Sequence, residues 1–141
     1  TLYYFAALNR YLVAGTGNKI EDFGVGFYTK YGDGGVDLSP IADLLKSQVF
    51  KIAKHLDIIE NIQSAAPTDG LWGDDRTDEQ QMGASYDELE WAMEAVEKNI
   101  DLDDLTNKQK EIIKIYQKSN SQNRHKMEPI PVCKIPYSLL K

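Results

Sequence analysis

Gly32, Gly34 and Gly35 fall within four positions of Tyr31-Gly32-Asp33-Gly34-Gly35, and no helix or strand runs through such a stretch. Glycine loses more backbone freedom on ordering than any other residue and brings no side chain to pack. The segment is therefore a loop, and it breaks the front of the chain into short elements. Tyr11-Leu12-Val13-Ala14 is a fully apolar run bounded by turn residues, which predicts a buried parallel strand. Gly15-Thr16-Gly17-Asn18-Lys19 follows as a glycine turn, with a short helical stretch around Ile20 to Phe23. Phe27 to Lys30 reads as a strand end, and Val36-Asp37-Leu38 as another short strand.

The rest of the chain reads as helix. Thr1 to Asn9 is apolar all round, as a buried helix is. Ser39-Pro40 predicts a helix start, with Ser as N-cap, Pro in the first turn and Asp43 at the positive end of the dipole. Ile41, Leu44, Leu45, Val49, Ile52, Ala53 and Leu56 keep helical spacing along it, and Ile58 to Ile62 continues as a second short helix. Residues 66–84 show no periodicity and hold Pro67, Gly70, Gly73 and Gly83, which predicts a long lid or binding loop. Capping boxes at Ser85 to Glu88 and Thr106 to Gln109 open two further helices. From Met127 onward, Pro129, Pro131 and Pro136 predict an extended tail. The pattern is α/β in front and helical behind.

Sixteen basic residues against 22 acidic ones give a net charge of −6 over 141 residues, which disfavours nucleic acid as a main partner. No apolar run is long enough for a membrane span. Cys133 stands alone, so no disulfide and no multi-thiolate metal site forms within the chain.

Strand, glycine turn and helix start together make an anion-binding device, because backbone N–H groups and the helix dipole converge there. Gly15-Thr16-Gly17-Asn18-Lys19 has that context but lacks the full dinucleotide fingerprint and the Walker pattern, so a plain strand-to-helix turn is an equal reading. Glu21 could hold Mg²⁺ beside a phosphate or simply be a solvated helix-start carboxylate. Asp33 to Asp37 does not make a calcium loop, since Leu38 and Leu44 stand where the essential Gly and Glu belong. Lys30, Asp37, Lys46, His125 and Lys126 taken singly are ordinary surface groups.

In order, however, these strings resemble one family. Leu12-Val13-Ala14-Gly15-Thr16-Gly17-Asn18-Lys19-Ile20-Glu21-Asp22 is similar to its LV-x-GTGNK-x-ED motif. Thr29-Lys30-Tyr31-Gly32-Asp33-Gly34-Gly35-Val36-Asp37-Leu38-Ser39-Pro40 is similar to its TKYGDGG-x-D-x-x-P motif. Ala66-Pro67-Thr68, Thr77-Asp78-Glu79, Gly83-Ala84-Ser85-Tyr86 and His125-Lys126 complete the series. The resemblance is to the ammonia-dependent NAD synthetases and runs from about Leu2 to Pro131.

That resemblance implies a Rossmann-like parallel sheet, partial here, with a helical carboxyl-terminal part. It implies an amide-forming ligase that adenylates deamido-NAD with ATP and lets ammonia displace AMP. Thr16, Lys46 and Thr68 would then contact ATP, Glu21 would hold Mg²⁺, and Lys30, Asp37, His125 and Lys126 would bind deamido-NAD. A cytoplasmic homodimer is implied for the complete enzyme, with no nucleic acid and no membrane among its partners. Residues 66–84 would act as a cover that excludes water.

Two features depart from the family form. The segment between Glu21 and Lys30 is one residue longer than usual, and the pyrophosphate-binding SGG-x-DS loop is not in these 141 residues. Residues 1–141 are therefore expected to be the carboxyl-terminal part of one synthetase domain, to make no NAD alone and to expose an apolar face. An ATP pyrophosphatase acting on another carboxylate and a non-catalytic nucleotide-binding module are the competing expectations.

Overall fold

The computed structural model describes residues 1–140. Its helices are α1 (Leu2–Asn9), α2 (Lys46–His55), α3 (Glu60–Gln63), α4 (Asp78–Met82), α5 (Tyr86–Glu97) and α6 (Asn107–Met127). A π-helix spans Ile20–Val25, and a 3-10 turn spans Tyr137–Leu139.

The predicted capping boxes launch the two helices that carry the core. Ser85 Oγ accepts from the Glu88 N–H and the Glu88 carboxylate accepts from the Ser85 N–H at 3.3 and 3.0 Å, so α5 starts with its orphan donors satisfied. Thr106 and Gln109 do the same for α6. Leu89, Ala92 and Met93 of α5 meet Ile112, Ile113 and Tyr116 of α6, with Ile20 and Val25 of the π-helix closing the cluster. Leu89 and Ile20 are fully buried, and truncating either to alanine would cost about 2–5 kcal/mol.

The π-helix is held by named side chains. Asn18, 2% exposed, accepts the Ile20 and Glu21 N–H groups on Oδ1, both at 3.1 Å. On the far side, Asn120 donates to the Gly24 carbonyl at 2.7 Å and Asn123 to that of Val25 at 2.9 Å. Gly26 has φ +66°, and a Cβ there would lie 2.3 Å from Asn123 Cβ. Glycine is thus required at Gly26 twice over, for its backbone conformation and for its approach to α6.

Several expectations are corrected. The parallel sheet is represented, among the described residues, by one isolated parallel bridge between Ala14 and Leu38. Phe27 to Lys30 forms no strand: the Gly26 and Tyr28 carbonyls accept from Lys126, and Thr29 accepts from Gly32 and Gly34 in a tight turn. The helix predicted at Ser39 starts instead at Lys46. Ser39 and Ile41 close two successive turns, the Leu44 carbonyl accepts the Lys19 N–H at 2.8 Å, and the Gln48 N–H donates to the Leu45 carbonyl at 3.0 Å. Residues 66–84 are not all loop, since α4 lies within them, capped by Thr77. Helix α1 forms where expected, but Leu2, Tyr4 and Leu8 are 70%, 68% and 69% exposed and Ala6 alone is buried.

Candidate functional site

Starting α2 at Lys46 decides the site. Lys46 becomes the first residue of the helix, where the dipole disfavours a cation. Its ammonium is compensated by Glu21, whose Oε1 lies 2.9 Å away, with both side chains more than four-fifths buried. The Tyr86 phenol donates to the same Oε1 at 2.6 Å. Lys46 Nζ sits 4.8 Å from the centre of the Tyr86 ring, within cation–π range.

Asp78, the first residue of α4, is 8% exposed and has Oδ2 3.3 Å from the Tyr86 hydroxyl. The phenolic hydroxyl thus faces two carboxylates, with the strong contact to Glu21 and the long one to Asp78. Asp78 Oδ1 is buried and, among the described residues, meets no hydrogen-bond partner. Burial foremost, and then the Glu21 charge, holds the Asp78 carboxyl above the usual carboxylate range. Burial and then the hydrogen bond to Glu21 push the Tyr86 phenol far up, so it remains a donor at any working pH.

Thr16, Glu21, Lys46, Asp78 and Lys126 line one open cavity of about 760 Å³. A smaller adjoining cavity of about 310 Å³ is shared by Thr16, Glu21 and Lys126 with Asp22, Tyr28 and Asp33. Burial, aided by the Glu21 and Asp33 charges, pushes the Asp22 carboxyl up to about 6. Lys126 donates to the carbonyls of Gly26 and Tyr28 at 2.8 and 2.7 Å, and its burial pulls the ammonium below the ordinary lysine range.

The other residues singled out by sequence stand apart from the cavity lining. Lys30 donates to the His125 carbonyl, and the His125 side chain is exposed. Asp37 Oδ2 accepts the Val13 N–H at 2.8 Å, and Oδ1 accepts from the Tyr3 hydroxyl at 3.3 Å, so its carboxylate steadies the Ala14–Leu38 bridge. Thr68 donates to the Arg76 carbonyl at 3.1 Å, while Asp78 N–H donates to the Pro67 carbonyl at 3.0 Å. These two bonds close residues 67–78 into a surface loop whose base lies beside the cavity. Tyr86, Asn120 and Asn123 were not selected from the sequence. Tyr86 was hidden inside a capping box, and the asparagines inside a polar helix face.

A Mg²⁺ ion can be tested against these groups. Among the described residues no cluster of three or more His, Cys, Asp or Glu could cage a metal. A fully protein-ligated cation therefore does not fit. Magnesium held by one carboxylate, water and nucleotide phosphates does fit, because Glu21 commits Oε1 internally and makes no hydrogen bond through Oε2.

The solved structures that this chain resembles belong to the Rossmann-like fold family, of whose parallel sheet the described residues show one bridge beside the glycine turn. Residues 1–130 match the family model for NAD synthase, and the chain belongs to that family. It is 43% identical over 133 residues to the NH(3)-dependent NAD(+) synthetase of Archaeoglobus fulgidus, covering 94% of this chain and 51% of that protein. The solved structure of NMN synthetase from Francisella tularensis superposes with a TM-score of 0.78 at 31% identity, over 95% of this chain and 51% of that one. The NH3-dependent NAD synthetase of Campylobacter jejuni, solved with a nitrate ion, gives a TM-score of 0.69 at 27% identity, over 94% and 50%. The chain spans about half the length of the curated relatives it matches. No helix among the described residues is long and apolar enough to cross a membrane.

Proposed function

We propose that these residues belong to an enzyme that amidates deamido-NAD to NAD with ammonia at the expense of ATP, and that they form the carboxyl-terminal part of its synthetase domain. The observation that carries this reading is the convergence of Thr16, Glu21 and Lys46 on one cavity, in a chain whose family is NAD synthase. In the first step a carboxylate oxygen of the nicotinate attacks the α-phosphorus of ATP, and pyrophosphate leaves. In the second, ammonia attacks the acyl carbon, AMP leaves with the bonding electron pair, and the spare proton passes to solvent.

Lys46, held rigidly by Glu21 and Tyr86, would place its ammonium against the phosphates, with Thr16 and Thr68 completing the ATP contacts. Glu21 would hold Mg²⁺ through Oε2, and the ion would supply neutralisation of phosphate charge. Lys30, Asp37, His125 and Lys126 would bind deamido-NAD; the hydrogen bonds that tie Lys126 to the Gly26 and Tyr28 carbonyls and Lys30 to the His125 carbonyl support treating Lys30, His125 and Lys126 as one unit. The loop 67–78 would cover the reacting centre, which matters because an acyl adenylate hydrolyses in water. A homodimer and a cytoplasmic location for the complete enzyme are proposed from the family resemblance alone.

The Francisella neighbour favours a second reading, in which the acceptor is the corresponding deamidated mononucleotide. The deciding experiment supplies the complete protein with ATP, Mg²⁺ and either acceptor, with ammonium or glutamine. NAD from ammonium supports the first reading, and NMN in preference to NAD supports the second. ATP cleaved to AMP and pyrophosphate with neither amide formed would overturn both.

A further inference from the structure

Glu21 sits in the π-helix and Lys46 opens α2, and the backbone bond that ties the two segments together nearby, from the Lys19 N–H to the Leu44 carbonyl, holds neither side chain. Left to themselves, a lysine and a glutamate on such elements would sample many rotamers, and their ion pair would be worth little. What both side chains share is Tyr86. Its hydroxyl fixes Glu21 Oε1 at 2.6 Å, and its ring face lies 4.8 Å from Lys46 Nζ. Tyr86 itself is 5% exposed and opens α5, and its N–H donates to Glu79 Oε1 at 2.8 Å. One core aromatic thus meets the carboxylate with its edge and the ammonium with its face.

We infer that Tyr86 is a positioning residue that sets the Glu21–Lys46 pair for nucleotide binding. The inference rests on the proposed ATP site, since it assigns Tyr86 a role through Lys46 and Glu21 and no contact of its own with substrate. Asp78 lines the same cavity, so the control for a lost hydroxyl comes from the core: Tyr116 of α6 is 5% exposed and lies outside that lining.

The test is calorimetric ATP binding by the complete protein, with the KM for ATP and for ammonium measured alongside. Tyr86→Phe keeps the ring and removes the hydroxyl. It should weaken ATP binding and raise the ATP KM about tenfold, the equivalent of one charge-assisted hydrogen bond, with the ammonium KM unchanged. Tyr116→Phe, the same hydroxyl removal from a core tyrosine, should bind ATP within about twofold of the unaltered protein, whereas a merely structural effect would appear in both variants. In the Glu21→Ala background Tyr86→Phe should add almost nothing, because the carboxylate it positions is gone. Equal ATP binding by Tyr86→Phe and the parent would overturn the inference and leave the ATP site standing. Full additivity with Glu21→Ala would do the same. If Tyr86→Phe does not fold, Tyr86→Met carries the test, and ATP binding equal to the parent's overturns the inference. A parent protein that binds no ATP sinks the site and the inference together.

Discussion

Lys126 donates to the Gly26 carbonyl at 2.8 Å across a hundred residues of sequence, and to that of Tyr28 at 2.7 Å. A residue assigned by resemblance to substrate therefore also fastens the π-helix exit to α6. Replacing Lys126 with Met keeps the stem and removes the donors. Stability should fall by about 1–3 kcal/mol, with faster amide exchange through residues 27–30. Exchange unchanged in that segment would show that Asn120 and Asn123 hold it without help.

Gly26 and Gly70 both have positive φ, at +66° and +63°, but their surroundings differ. Gly26 faces Asn123, whereas nothing lies within 4 Å of a Cβ at Gly70. Gly70→Ala should cost about 1 kcal/mol for the backbone alone, and Gly26→Ala about 2–4 kcal/mol with the overlap added. Urea midpoints compare the two directly. Equal costs would mean that α6 shifts freely to admit the methyl.

The Asp22 carboxyl is raised from 3.8 to about 6 in the folded chain. A raised folded value means the native state binds the proton more tightly. Asp22 thus favours folding below pH 4, and that contribution is lost as pH rises through 6. Above it, the half-exposed charge beside Glu21 and Asp33 costs about 1 kcal/mol after allowance for solvent screening. Asp22→Asn should raise the melting temperature at pH 8 in EDTA and not at pH 3.5. A pH-independent effect would put the cause in packing.

Trp72 is 55% exposed on the 67–78 loop, with the Arg76 guanidinium 5.1 Å from its ring. If that loop covers the reacting centre, Trp72 emission should shift to the blue when ATP and deamido-NAD bind together. The measurement uses the complete protein carrying Trp91→Phe and with any tryptophan outside residues 1–141 replaced, so that Trp72 alone reports. Emission that ignores both substrates would remove the loop from the closing step.

Much of this was legible in the chain. Ser85 and Thr106 each stand three residues before a Glu or Gln, and a capping box acts within one turn, so local order was enough to place α5 and α6. Thr77 and Gln80 carry the same signal for α4, overlooked because the surrounding glycines and aspartates read as loop. The Ser39-Pro40 start is as clear locally, yet residues 39–44 close successive turns and Leu44 is tied to Lys19 instead. Propensity is worth tenths of a kcal/mol per residue, and tertiary context overrides it readily.

The sequence by itself determined the glycine loops, the capped helices and, through strings such as Thr29 to Pro40, the family. These depend on neighbours a few residues apart. Tertiary structure alone decided that Lys46 begins its helix facing Glu21, that Tyr86 joins them, and that Lys126 holds Gly26. Each of those contacts spans from 25 to 100 residues, and no short-range pattern encodes which distant carbonyl or carboxylate a side chain will meet.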